Sequence, residues 1–404
     1  MATTQSQLMV SEQQKQAYRW VILTLVVLTW VTTYLIRLTW PPLIPFVVPI
    51  LHMKMSQAGA YMGILYLGYV ITQIPGGMLA DRFGARIILG VSLVIGGIAT
   101  IAMGSINSFG AGMVLRFIAG LALGADFAAA ARAIMEWFRP EERGKAFGAL
   151  FSGPMVGIIG SSLIVVPLNR DFGWRWAFRI VGIIAIVIAV FLYNALRKSS
   201  VQRTEQAPGM FAGFPIVFSN RNVLLPALAG FCTLWVQVGT STWVFTHIKR
   251  LGFGMGTVST IVMIYGLGGV ISPFISGWLS DKIGHRKTIA IWVYVFTIPA
   301  TVIFGYQTTL VTMIVWGFVF GFISYMPNPH LTIFISEAVE RKHVGLANGT
   351  GNLFYQIAPV TVPVITGWAL DVTGQFTSVW WILAAGPLVA IFLLLPVDTK
   401  RRLS

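Results

Sequence analysis

Acidic residues are scarce in this chain of 404 residues. Thirteen Asp and Glu stand against twenty-eight Lys and Arg, and only 10% of the residues are charged, where a soluble domain carries about 25%. There is one cysteine, Cys232, inside an apolar run, so an intrachain disulfide and a CxxC or CxxH metal pair are both excluded. Catalytic signatures are also missing: there is no HExxH, no GxSxG in a hydrolase setting, no Walker loop and no dinucleotide fingerprint. The sequence thus offers no catalytic residue, cofactor or metal site, and ATP-driven pumping within the chain is disfavoured. The formal charge of +15 would suggest nucleic acid in a soluble protein. Here the basic residues lie in short clusters between long apolar runs, which is the pattern of a membrane protein, so the expected partner is a lipid bilayer and not nucleic acid.

Over half of the chain, 56%, is hydrophobic. A membrane span needs roughly 20 apolar residues to cross about 30 Å of hydrocarbon. Runs of that length fall at 19–49, 57–79, 86–105, 109–135, 145–168, 174–196, 222–247, 255–279, 287–307, 309–336, 344–369 and 378–396. The first run is too long for a signal peptide and is expected to remain as the first span. The fold class expected is an all-α membrane protein of twelve transmembrane helices in two pseudo-symmetric six-helix bundles. Its parts are a cytoplasmic tail (1–18), an N-terminal bundle (19–196), a linker (197–221), a C-terminal bundle (222–396) and a second cytoplasmic tail (397–404). The Phe-rich second part of the linker could lie on the membrane surface or be plain connection. The 42 glycines suit close helix contacts in lipid.

Lysine and arginine set the orientation. One side collects Arg82, Arg86, Arg139, Arg143, Lys145, Arg197, Lys198, Arg203, Arg221, Lys282, Arg286, Lys287, Arg341 and Lys342 besides both tails, and the other Lys54, Arg170, Arg175, Lys249 and Arg250. Both termini are therefore expected in the cytoplasm of a multi-pass protein of the cell inner (plasma) membrane.

The halves repeat. GMLADRFGAR (77–86) matches GWLSDKIGHR (277–286), and EERGKAFG (141–148) is echoed by VERKHVGLANG (339–349). Such repeats indicate similar bundles around a central site. In the first copy Gly77 permits close packing and Gly84 a tight turn. Asp81 has Arg82 and Arg86 nearby, and could pair with them or sit at a helix N-terminus. Asp281, Gly284 and Arg286 occupy the equivalent places. Contacts of this kind can open and close, so the two loops are candidate conformational latches.

GGMLADRFGARIIL resembles the loop signature of the major facilitator superfamily, and SGWLSDKIGHRKTI looks like its degenerate second copy. The resemblance covers essentially the whole chain. It implies that superfamily's fold, alternating access, and a role for Asp81 in stabilising one access state. More narrowly, YLIRLTWPPLIP, RFIAGLALGADF, EWFRPEERGKAFG and GWRWAF resemble the anion:cation symporter group, which carries sugar acids and other organic anions. That group has an acid before the arginine of its first span and another seven residues after that of its fourth. Here those places hold Ile36 and Leu123, so the resemblance does not carry over the usual proton coupling.

Charges inside spans carry the functional reading, because each is costly unless paired or facing water. Arg37 lies in span 1 and Arg116 in span 4, at comparable depth. Two guanidiniums around one cavity would bind a carboxylate, sulfonate or phosphate through paired hydrogen bonds. Arg116 could instead be a packing residue bonded to backbone carbonyls. A kink adjoins Arg37: Pro41 cannot donate to its carbonyl, and Pro42 frees that of Leu38. Asp126, the one acid clearly within a span, could carry a coupled proton or counter Arg37. Arg132 and Glu136, four apart, suit a surface pair. Across the chain stand neutral candidates: Gln237, Tyr265, Asn328, His330, Asn352 and Gln356, with His330 either lining a cavity or satisfied inside. Tyr61, Tyr66, Tyr69 and Trp243 suit packing or interface roles.

The function expected is secondary active transport of a small organic anion, with a proton or counter-anion as possible coupled partner and a monomer as the working unit. Proton-coupled efflux, faintly suggested by GPMVGIIG (153–160), and a non-transporting sensor are the alternatives.

Overall fold

The computed structural model describes residues 2–196, 218–340 and 343–398, apart from the side chains of 2–17, 140–141, 281 and 345. Residues 197–217 of the linker expected at 197–221, with most of its Phe-rich second part, and the end of the C-terminal tail lie outside the described residues. Among the described residues twelve helices are long and apolar enough to cross a membrane: α1 Tyr18–Ile50, α2 Met55–Phe83, α3 Ala85–Met103, α4 Phe109–Trp137, α5 Glu142–Phe172, α6 Trp174–Ala195, α7 Arg221–Arg250, α8 Met255–Ser280, α9 Arg286–Gly305, α10 Leu310–Glu337, α11 Leu346–Thr373 and α12 Phe376–Leu394. The expected runs meet these within a few residues, since apolar length and the Gly or charged breaks between runs set both ends. Below, the face where α1 begins and α12 ends is the terminal face, and the opposite one is the far face.

Packing repeats along the chain as the motifs do. In the first half Gly68 lies against the backbone of Phe117 and Gly120, while Gly120 lies against Leu65. In the second, Gly268 meets Phe318 and Gly321, and Gly321 meets Tyr265. A methyl group on any of these four glycines would fall within 2.0–2.6 Å of a neighbouring carbonyl oxygen. Lipid supplies no hydrophobic drive between helices, so close backbone approach supplies the attraction. The α2–α4 and α8–α10 pairs are thus built alike.

Several helices are interrupted, and the interruptions follow from sequence. Regular α-helix in α1 ends at Leu38, followed by a 3-10 turn at Pro41–Leu43, because Pro41 and Pro42 lack the N–H that would continue it. α4 breaks between Leu123 and Asp126, and α10 between Tyr325 and Pro327.

The halves meet from mid-depth to the far face. There α2 lies along α11, α5 along α8, and the broken end of α1 against α7. Gly59 touches the carbonyl of Pro363, and Gly367 that of Met55. Asp371, at the end of α11, accepts from the backbone N–H of Met55 at 2.7 Å and of Ser56 at 2.9 Å. These are the first amides of α2, which have no partner inside their own helix, and a carboxylate there also meets the positive end of the dipole. At an exposed site such a contact is worth about 1 kcal/mol. Asp371→Asn should therefore shift the equilibrium roughly fivefold toward a far-face-open form, read as a longer spin-label distance between α2 and α11. An unchanged distance distribution would show that Asp371 does not act as a clasp.

Candidate functional site

The break in α1 explains what Arg116 does. Its Nε donates to the carbonyl of Tyr61 at 3.2 Å, Nη1 to that of Ile36 at 3.3 Å and Nη2 to that of Arg37 at 3.3 Å. The carbonyl of Arg37 is the one that Pro41 leaves without a donor. Arg116 thus replaces helix hydrogen bonds that proline has removed, and places a cation at the negative end of the α1 dipole. The expectation that it meets a cargo needs correction: its guanidinium faces main-chain oxygens on α1 and α2, and is the backbone-bonded packing residue that its sequence position also allowed.

Arg37 is different. It is 0% exposed, yet none of its three guanidinium nitrogens makes a well-formed hydrogen bond. Aromatic rings surround it. Its Cζ lies 4.0 Å from the ring centre of Tyr69, 4.8 Å from Tyr34, 5.6 Å from Tyr66 and 5.7 Å from Trp30. Rings attract a cation through their faces, but they do not saturate its five N–H donors. The cage therefore holds the charge with loose contacts to the Tyr66 and Tyr69 hydroxyls and leaves most of its directional bonds unspent. Tyr66 lies within electrostatic reach of both Arg37 and Arg116.

Asp126 opens the second segment of α4 and is fully buried. Thr33 donates to its Oδ2 at 2.5 Å, while Oδ1 lacks a well-formed partner. Ser92 of α3 and Arg37 of α1 lie within its electrostatic reach, and Tyr69 of α2 is also near. No direct ion pair joins Arg37 and Asp126, since the guanidinium nitrogens remain without well-formed partners.

The second half contributes neutral groups, as expected, but many are already engaged. Gln237 Nε2 donates to the carbonyl of Ser324 at 2.9 Å and to Asn328 Oδ1 at 3.4 Å. Tyr265 is buried and packs edge-on to Tyr325, with ring centres 6.1 Å apart. Tyr325 in turn lies within electrostatic reach of Tyr34 and Tyr66, so it brings the second half to the Arg37 cage. His330 is buried and bonded through Nε2 to Ser276 Oγ at 2.8 Å, the satisfied interior arrangement. Asn352 and Gln356 stand at the break in α11, beside Tyr355, which packs within the core of the second half.

The latch has a partner that local sequence did not offer. Asp81 pairs with Arg132 of α4 at 3.1 Å, not with Arg82 or Arg86. Those two neighbours lie over the rings of Phe83 and Tyr193. Arg132 also donates to the carbonyl of Ala80 at 2.9 Å and to Glu136 at 2.6 Å. The last turn of α2 aims Asp81 across to α4; a methyl group at Gly77 would meet only the Ala128 methyl, at an ordinary 3.7 Å, so the close packing expected of this glycine is not required there. Gly84 has φ +86° and Gly284 φ +73°, which only glycine adopts readily. In the second copy Arg286 pairs with Glu337 of α10 at 2.8 Å; the side chain of Asp281 is outside the described residues.

Sequence reasoning takes Tyr66 and Tyr69 for packing residues, and misses Tyr34, Tyr325 and Asp371 altogether. A signal for Tyr66 and Tyr69 is present: they lie three apart, so both fall on one helical face.

The profile of the Major Facilitator Superfamily matches residues 25–272 and 251–403. A hexuronate transporter of Bacillus subtilis (strain 168) is 24% identical over 373 residues, 87% of each chain. The cis,cis-muconate transport protein of Acinetobacter baylyi is 27% identical over 77% of this chain and 79% of that one. The solved structure of a point mutant of the nucleoside transporter NupG superposes with a TM-score of 0.78 at 14% identity, over 93% of this chain and 99% of the other. The chain belongs to the Major Facilitator Superfamily, a family of membrane transporters rather than enzymes.

Proposed function

We propose that this protein is a secondary active transporter of a small organic anion, which binds at Arg37 and crosses by alternating access. The observation that carries the reading is a fully buried guanidinium with no well-formed hydrogen bond, held among the tyrosines of α1 and α2. A buried, unpaired charge costs several kcal/mol, and a carboxylate or sulfonate arriving there would satisfy it through paired, charge-assisted bonds. Relatives named as hexuronate and cis,cis-muconate transporters support an anionic cargo. The abundance of Arg and Lys near the terminal face makes it the cytoplasmic one, which puts the closed far face outside the cell membrane.

Asp126 is the proposed coupling residue. It shares the field of Arg37, so an anion on Arg37 favours a neutral Asp126, and proton and anion would travel together. Uptake into proteoliposomes should rise as the outside is made more acidic than the inside. Asp126→Asn should lose accumulation against a gradient and keep anion exchange at equal pH. Accumulation that persists in Asp126→Asn would exclude this coupling. The reading as a whole is tested by a flux screen of carboxylates, sulfonates and cationic dyes, with and without a pH gradient. Transport confined to cationic dyes would overturn it.

A further inference from the structure

The lining around Arg37 says more about the cargo than its charge. Resting on the anion reading above, we infer that the preferred substrate is a planar, aromatic or conjugated monocarboxylate, gripped at Arg37 and flanked by the rings of Tyr34, Tyr66, Tyr69 and Tyr325. Three observations lead there. The site has one guanidinium that is bound to neither main-chain oxygens nor an acid, because Arg116 is committed to the carbonyls of Tyr61, Ile36 and Arg37. One guanidinium matches one carboxylate, and a second anionic group would be left uncompensated at membrane depth. The walls are rings: three tyrosines lie within 5.6 Å of the Arg37 Cζ, and Tyr325 approaches Tyr34 and Tyr66 from the other half. Aromatic faces reward a flat, polarisable body through offset stacking and edge contacts.

The third observation concerns polyhydroxylated acids. A sugar acid needs a partner for each hydroxyl that it brings out of water, and loses affinity wherever one is missing. Of the amides and imidazole that could serve, two are engaged within the protein, while Gln356 at the break in α11 keeps an oxygen without a partner. Gln237 is tied to Ser324 and Asn328, and His330 to Ser276. The tyrosine hydroxyls remain, which suit a ring substituent or a second flat edge better than a row of hydroxyls.

The test is isothermal titration of the full-length protein in nanodiscs with 4-hydroxybenzoate, cyclohexanecarboxylate and glucuronate. The first two have similar size and one carboxylate each, and differ in planarity and π-character. 4-Hydroxybenzoate is expected to bind at least tenfold more tightly than either of the others. Tyr325→Leu should weaken it at least tenfold and leave the other two within about twofold; Tyr34→Leu, read in the same way, serves if Tyr325→Leu does not fold. Equal or tighter binding of cyclohexanecarboxylate or glucuronate overturns the inference, as does 4-hydroxybenzoate binding that survives both ring deletions. Glucuronate binding that is tight and lost in Arg37→Gln overturns the aromatic preference alone. Failure of all three acids to bind the wild type overturns the anion reading with it.

Discussion

Arg37→Gln should abolish anion transport while leaving the protein at least as stable as the wild type. The two effects have one cause. In the wild type the guanidinium is buried without a well-formed hydrogen bond, and the surrounding rings offset only part of the desolvation. Glutamine removes the charge, so the thermal midpoint should hold or rise. The anion, however, loses a pair of charge-assisted hydrogen bonds worth about 1.5–3 kcal/mol each. Affinity should fall on the order of 100-fold to 10,000-fold, which takes uptake below detection. Arg37→Lys should recover little, since a single ammonium cannot reproduce the two-pronged geometry. Wild-type uptake by Arg37→Gln, or a large drop in its melting temperature, would be incompatible with this role.

Arg116→Gln should have the opposite signature. The three carbonyls that it serves lie on two helices, at residues Tyr61, Ile36 and Arg37. A buried acceptor left bare costs about 1–3 kcal/mol, so the combined loss over three carbonyls is on the order of 3–9 kcal/mol. The melting temperature should fall well below that of Arg37→Gln, and transport should be lost with it. Arg116→Lys should give only partial recovery, because one ammonium cannot span all three oxygens. The pair of variants separates a charge kept for function from a charge kept for structure. Arg116→Gln that melts like the wild type but binds no anion would return this residue to the cargo.

Much of this was legible in the sequence. The twelve spans were readable because apolar runs of membrane length are bounded by charge and glycine. The repeat at 77–86 and 277–286 pointed to similar halves, and the α2–α4 and α8–α10 glycine contacts bear the repeat out in packing. Both members of the Arg116 contact were also visible: the carbonyl freed by Pro41 and a cation needing a partner. Their meeting was not, because it joins positions 79 apart in the chain. Asp81 failed for the same reason. Its sequence neighbours Arg82 and Arg86 were the nearest cations, but helix geometry presents it to Arg132 on another helix.

The tyrosines were hardest to read. In a chain with 13% aromatic residues, a ring that packs in lipid and a ring that cages a cation carry the same sequence signal. Only the placement of α1 against α2 shows that Tyr34, Tyr66 and Tyr69 share one guanidinium. Asp371 left no signal, since its partners are the backbone amides of a helix 315 residues or more away.

The most direct measurement is an experimental structure of the wild-type protein with a bound carboxylate substrate. The expected result places both carboxylate oxygens at about 2.7–2.9 Å from the Arg37 guanidinium, with Arg116 still on the carbonyls of α1 and α2. A carboxylate seated elsewhere, with the nitrogens of Arg37 still without partners, would contradict the central claim.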